Sequence, residues 1–188
     1  MRDGSLADAS NGVVLVMGTG VGGAIMIDRR LYHGSHFHAG NASYVMGSLT
    51  EPYDPSRLFG FSTGVRGLGF ALATVKGTDP ETLDGRAIFA LIKAGDPVAL
   101  RQLDAFCTRL AAFVYNIQVL LDVDVVSIGG GISVQPSFIK MVRDKVSDIF
   151  EASFVPLPAP EVRVCRYFND ANLIGALAHH KSRSAAER

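Results

Sequence analysis

VVLVMGTGVGGAIMID, residues Val13 to Asp28, reads as strand, glycine turn, strand. Val13 to Val16 is an unbroken β-branched and aliphatic run. Gly18-Thr19-Gly20-Val21-Gly22-Gly23 interrupts it, Ala24 to Ile27 resumes it, and Asp28-Arg29-Arg30 closes it with a polar turn. Gly18, Gly20 and Gly23 match G-x-G-x-x-G, the dinucleotide fingerprint. That fingerprint needs a helix after its glycines, because the helix N-terminus holds the pyrophosphate. Ala24 to Ile27 looks like strand, so a Rossmann site is rejected. A glycine-rich hairpin can still cradle an anion, since backbone without Cβ atoms approaches closely and presents successive N–H groups. The same glycines also suit an ordinary tight hairpin.

The rest of the chain bounds the possibilities. It has 188 residues, 48 % hydrophobic and 19 % charged, which fits one globular domain. Lys and Arg balance Asp and Glu at 18 each, so the basic footprint of a nucleic-acid binder is missing. No apolar run approaches the roughly 20 residues of a membrane helix. MRDGSLADAS carries no signal-peptide core. Cys107 and Cys165 lie far apart and form no CxxC. These features predict a cytoplasmic, reduced protein with neither membrane nor nucleic acid as partner.

After the hairpin, Leu31 to Gly34 reads as a third short strand. Ser35 to Gly47 is irregular, with His36 and His38 near its start and His33 just ahead of it. No Cys or carboxylate neighbours them at ligand spacing, so solvated loop histidines are expected rather than a metal site. Ser48 to Ser62, with Pro52, Pro55 and Gly60, reads as loop, and Thr63 to Leu72 as a glycine-loosened helix start. Asp84-Gly85-Arg86 opens a helix through Lys93. Gly95-Asp96-Pro97 supplies a C-cap, an N-cap and an N1 proline in succession. The next helix runs from about Pro97 to Leu121, with one stripe at threes and fours from Leu100 through Leu110 to Leu121. Val125 to Ile128 is a short buried strand entering Gly129-Gly130-Gly131, followed by a helix from about Pro136 to Phe150. Those glycines can admit a flat ligand or allow a tight strand-to-helix turn. Val162 to Cys165 reads as strand, Asn169-Asp170 as the start of a final helix from Ala171 to about His180, and KSRSAAER as a frayed tail. Hairpin strands followed by alternating helices and strands predict an α/β domain with a mixed sheet.

Taken together, five motifs resemble the C-terminal half of the ROK family of sugar kinases and related repressors. They are GTGVGGAIMIDRRLYHG (Gly18 to Gly34), HAGNASYVM (His38 to Met46), DGRAIFALIKAGDPVALRQLD (Asp84 to Asp104), LLDVDVVSIGGGIS (Leu120 to Ser133) and FNDANLIGALAHH (Phe168 to His180). They stand in the family's order and span nearly the whole chain. The resemblance implies an actin-like ATPase (ribonuclease H-like) fold, of which residues 1–180 are the C-terminal lobe. It implies magnesium-dependent transfer of the ATP γ-phosphate to a sugar hydroxyl, usually C6. On this resemblance Gly18, Thr19, Gly20, Gly22 and Gly23 hold the ATP phosphates, and Gly129, Gly130 and Gly131 line the adenosine. Gly40, Asn41 and Tyr44 face the sugar.

Three departures qualify the resemblance. The family's D-x-G-G-T motif is absent, as is the segment with the catalytic aspartate that deprotonates the sugar. The base is therefore expected upstream of Met1, and the chain is expected to be a truncated lobe, inactive alone. Asp170 is a secondary candidate for that base, better read as a helix-starting residue. Asn41 replaces the family's glutamate and Tyr44 its histidine, which removes a charge from the sugar contacts. The cysteine-rich zinc motif is also missing, as in β-glucoside kinase-like branches, so no zinc is expected. The other readings are a remnant of a sugar-sensing transcriptional regulator, which is non-enzymatic, and a purely structural domain. A homodimer is expected from the family habit.

Overall fold

The computed structural model describes residues 4–51 and 54–186. Three antiparallel strands come first: β1 (Gly12–Met17), β2 (Val21–Ile27) and β3 (Arg30–Tyr32). Helices α1 (Phe59–Thr63), α2 (Val65–Lys76), α3 (Gly85–Lys93) and α4 (Pro97–Leu121) follow. Then come β4 (Val125–Gly129), α5 (Pro136–Ala152), β5 (Glu161–Val164) and α6 (Ala171–Ala186). The sheet order is β3-β2-β1-β4-β5, with β4 parallel to both β1 and β5. This is the expected mixed α/β sheet.

Local chemistry accounts for most boundaries. The β2–β3 connection is a two-residue turn in which Asp28 and Arg29 both have positive φ, 50° and 61°. Such a turn matches the right-handed twist of its strands. It starts β3 at Arg30, one residue earlier than the sequence suggested. Gly95 ends α3 at φ 77°. The Asp96 carboxylate accepts from the backbone N–H of Val98 and Ala99 and receives Lys76 Nζ at 2.6 Å. Asp122, at φ 47°, stops α4.

The main core joins alternate residues of β1 (Val13, Leu15, Met17) and β4 (Val126, Ile128) to α4 and α5. Leu103, Phe106, Leu110 and Val114 of α4 are fully buried, and the Phe106 ring meets that of Phe138 at 6.0 Å between centroids. On the opposite sheet face Met26 and Val125 pack with Ala9 and Leu6 of the lead segment. Asp124 holds that segment, accepting from the N–H groups of Ser10 and Asn11 at 2.8 and 2.9 Å.

Three expectations change. Part of the segment expected as loop before Thr63 forms α1, and the anticipated helix start is two helices broken at Gly64. Pro52 and Tyr53 of that segment lie outside the described residues. So does Met1, ahead of which the catalytic base is expected. The segment expected to fray after His180 continues α6 through Ala186, because alanine, lysine and arginine favour helix. No helix among the described residues is long and apolar enough to cross a membrane.

Candidate functional site

A cleft of about 780 Å³ opens at the C-terminal ends of β1 and β4. Gly18 and Thr19 of the hairpin turn form one side, with Gly131, Ile132 and Gln135 beyond β4. The first residues of α2 and α3, including Arg66 and Arg86, form the other, with Phe70 and Phe89. Ligands of open α/β sheets bind in this kind of crevice, beyond the carboxyl ends of strands.

The turn is held from behind. Val65, the first residue of α2, donates its N–H to the Gly18 carbonyl at 2.8 Å. A Cβ on Gly64 would overlap the Thr19 carbonyl, so helix and turn meet backbone to backbone. Arg66 lies 3.5 Å from Glu81 and its guanidinium sits 5.3 Å from the Phe70 ring centre. Asp84 is engaged in starting α3, accepting from Ala87 N–H at 2.8 Å.

The glycines divide by surroundings. Gly18 has nothing within 4 Å of where a Cβ would stand and does not sit in the left-handed region. The fold has no need of glycine there; close approach of a ligand would. Gly20 faces the Ser43 hydroxyl, 2.9 Å from its would-be Cβ. Gly23 and Gly40 pack backbone on backbone, and a Cβ on either would come within 2.8 Å of the other's carbonyl oxygen. Gly22 touches only Val16 at 4.0 Å. A Cβ on Gly129 would stand 2.8 Å from Cys165 Sγ, and Gly130, at φ 88°, leaves no room for one beside the Met17 carbonyl. Of the eight glycine-loop positions singled out in the sequence, Gly18, Thr19 and Gly131 line the cleft.

The sugar-side positions lie elsewhere. Gly40, at φ 84°, rests on β2, Asn41 Nδ2 is 3.0 Å from His38 Nδ1, and Tyr44 is exposed. None of the three lines the cleft. Asp170 sits exposed in a short turn before α6, also away from it. Among the described residues no three His, Cys, Asp or Glu side chains are placed to hold a metal ion. His33 packs its ring on Phe37 at 5.7 Å. Arg66, Phe70, Arg86, Phe89 and Gln135 went unseen in the sequence because isolated residues on separate helices carry no spacing signal.

Residues 62–183 match the family model described as "ROK family". The chain belongs to the ROK family. A β-glucoside kinase of Klebsiella pneumoniae is 31 % identical over 177 residues, covering 94 % of this chain and 57 % of the relative. A Listeria innocua β-glucoside kinase is 30 % identical over 173 residues, covering 92 % and 57 %. A ROK family protein from Streptococcus pneumoniae, solved in complex with sucrose, superposes with a TM-score of 0.86 at 30 % identity, covering 95 % of this chain and 61 % of that one. A Streptomyces griseus ROK glucokinase, solved with glucose and AMPPNP, shares the fold at a TM-score of 0.70 and 19 % identity, covering 90 % and 60 %. The fold is thus that of the actin-like ATPases, and the ROK chain spans a little over half the length of the relatives it matches.

Proposed function

We propose that this chain is the nucleotide-binding lobe of a sugar kinase acting on a hexose or β-glucoside through the C6 hydroxyl. The observation that carries the reading is Gly18: it opens onto the cleft, and neither packing nor φ requires glycine there. A phosphate approaching the backbone does require it. Gly18 and Thr19 then hold the ATP phosphates from the turn, with Gly20, Gly22 and Gly23 shaping that turn from behind. Gly131 faces the adenosine, with Gly129 and Gly130 setting its position. Arg66 and Arg86 supply positive charge to the cleft wall.

Magnesium arrives with the phosphates in this reading, since the cleft carboxylates are engaged: Glu81 beside Arg66 and Asp84 at α3. When bound, it neutralises charge that develops on the transferred group. The residues of this chain orient the phosphates and exclude water around them. Gly40, Asn41 and Tyr44 face the sugar, Asn41 accepting or donating to hydroxyls without a carboxylate's charge. The base that takes the C6 proton is proposed to belong to the portion of the relatives that this chain does not span, the part ahead of the position of Met1. The same reading makes the protein cytoplasmic and homodimeric, with Leu173 and Leu177 of α6 as exposed apolar surface available for association.

Calorimetric titration with Mg-AMPPNP tests the reading. One saturable site is expected; no binding at millimolar nucleotide would overturn it. A coupled ADP-release assay over a sugar panel is expected to show no turnover by these 188 residues alone. Sugar-dependent turnover surviving repurification would bring Asp170 forward as the base and remove the need for one ahead of Met1.

A further inference from the structure

We propose that Ser43 is a positioning residue for the nucleotide turn: it acts through Val21 to fix Gly18-Thr19-Gly20 without itself lining the cleft. The inference rests on the reading that the cleft takes a nucleotide.

The geometry starts at an incomplete strand edge. β3 pairs with β2 only from Ile25 to Ile27. Val21 lies at the start of β2, ahead of that paired stretch, and its backbone groups on that edge have no strand partner. Ser43 takes the place of one. Its Oγ accepts from Val21 N–H at 2.9 Å and donates to the Val21 carbonyl at 3.0 Å. One hydroxyl thereby satisfies both polar groups of a residue whose side chain is buried.

Val21 directly follows the turn, so fixing it fixes one leg of Gly18-Thr19-Gly20. The surroundings leave Ser43 little freedom. A Cβ on Gly60 of α1 would lie 2.6 Å from Ser43 Cβ and 2.7 Å from its Cα. Phe59 of the same helix donates its N–H to the Val45 carbonyl at 2.7 Å. Past Gly64, α2 holds the other leg through the bond from Val65 to Gly18. A closed ring of contacts results, running Ser43, β2, turn, α2, α1 and back. Ser43 contributes a side-chain hydroxyl where most other links are backbone. It also belongs to the Gly40 to Tyr44 segment proposed to face the sugar, so the two substrate-facing parts share this one side chain.

Loss of the hydroxyl leaves the Val21 N–H and carbonyl unpaired at a part-buried edge. The turn then loses its preorganisation for the phosphates, and affinity falls with it. The experiment compares Mg-AMPPNP affinity of the wild type, Ser43→Ala, Ser43→Cys and Ser62→Ala, with circular dichroism and Tm for each. Ser62 Oγ donates to the Phe59 carbonyl inside α1, so it is a control for a purely structural bond nearby. The expected result is about five- to tenfold weaker nucleotide binding for Ser43→Ala, one to two lost hydrogen bonds' worth. Ser43→Cys, of similar shape but weaker in hydrogen bonding, falls between, and it decides the matter should the alanine variant not fold. Ser62→Ala lowers Tm without changing affinity. Wild-type binding with unchanged affinity in both Ser43 variants overturns the role of Ser43 and leaves the nucleotide reading standing. Equal loss in Ser62→Ala overturns it as well, showing general loosening of α1. Absence of wild-type binding overturns the nucleotide reading and this inference together.

Discussion

The backbone N–H of Val65 donates to the carbonyl of Gly18 at 2.8 Å, joining the start of α2 to the glycine turn after β1. One of the orphan donors at a helix start is thereby spent on holding a loop. The Gly18 carbonyl is occupied by that bond, and the Gly18 N–H donates to the Gly20 carbonyl at 2.9 Å, so both polar groups of Gly18 hold the turn in shape.

Gly18→Ala separates ligand binding from folding. The added Cβ meets nothing within 4 Å, so Tm should stay within about 2 °C of the wild type. Mg-AMPPNP affinity should fall by about tenfold or more as the methyl meets a phosphate. Unchanged affinity would sink the phosphate role. Gly130→Ala should do the opposite first, losing stability by about 1–3 kcal/mol from overlap with the Met17 carbonyl and from its left-handed φ. Urea denaturation reads both.

Gly64→Ala should damage both properties at once. Its Cβ would overlap the Thr19 carbonyl, so either α2 or the turn must shift. A loss of about 1–3 kcal/mol in urea unfolding is expected, together with weaker nucleotide binding. Gly77→Ala is the comparison: it ends α2 at φ 64° with open space around it, so it should cost about 1 kcal/mol and leave the cleft unaffected.

Stability should fall on acidification, with Asp124 among the causes. Backbone N–H donation by Asn11 and Ser10 holds its carboxyl below the ordinary value of 3.8. Arg163 does the same for Asp8 and Glu161, as do Lys76 and the α4 N-terminus for Asp96. A carboxyl depressed on folding contributes fully above its unfolded value, and the contribution disappears as pH falls through the folded one. Tm should therefore be flat near neutrality and drop below about pH 4. Asp124→Asn should lower the neutral Tm by about 2–4 °C and flatten the acid slope. An identical acid slope in that variant would remove Asp124 from the account.

Neither thiol should react in the folded protein. Cys107 and Cys165 are both buried, and burial, with the Asp104 charge beside it, pushes the Cys107 thiol up to about 12. A colorimetric disulfide reagent should label no cysteine in buffer and two in denaturant. Rapid labelling in buffer would show that α4 or β5 opens readily.

Much of this protein is written locally. Gly95-Asp96-Pro97 stops one helix and starts the next because a left-handed glycine, a capping carboxylate and a proline each act within a few residues. The stripe of α4, apart from its first member Leu100, which is exposed, and the apolar run of β4 were legible in the pattern of residues, and the ordered motifs carried the family. Less legible was the stretch before Thr63, where α1 forms against the Gly40 to Gly47 segment rather than from its own propensity. Phe59 donates its N–H to Val45, and Gly47 its own to Arg57 at 2.8 Å.

The glycines mark the division most clearly. The sequence determined that a hairpin turn and a strand-to-helix turn exist, since φ preferences, caps and hydrophobic period are short-range properties. Which glycine meets a ligand and which meets a neighbouring chain segment was decided only by tertiary structure. Gly18 opens to the cleft, while Gly20 meets Ser43 and Gly23 meets Gly40. A glycine is silent about what lies where its Cβ would be, and here the answer is set by segments such as Ser43, 22 positions away from Val21, to which it bonds.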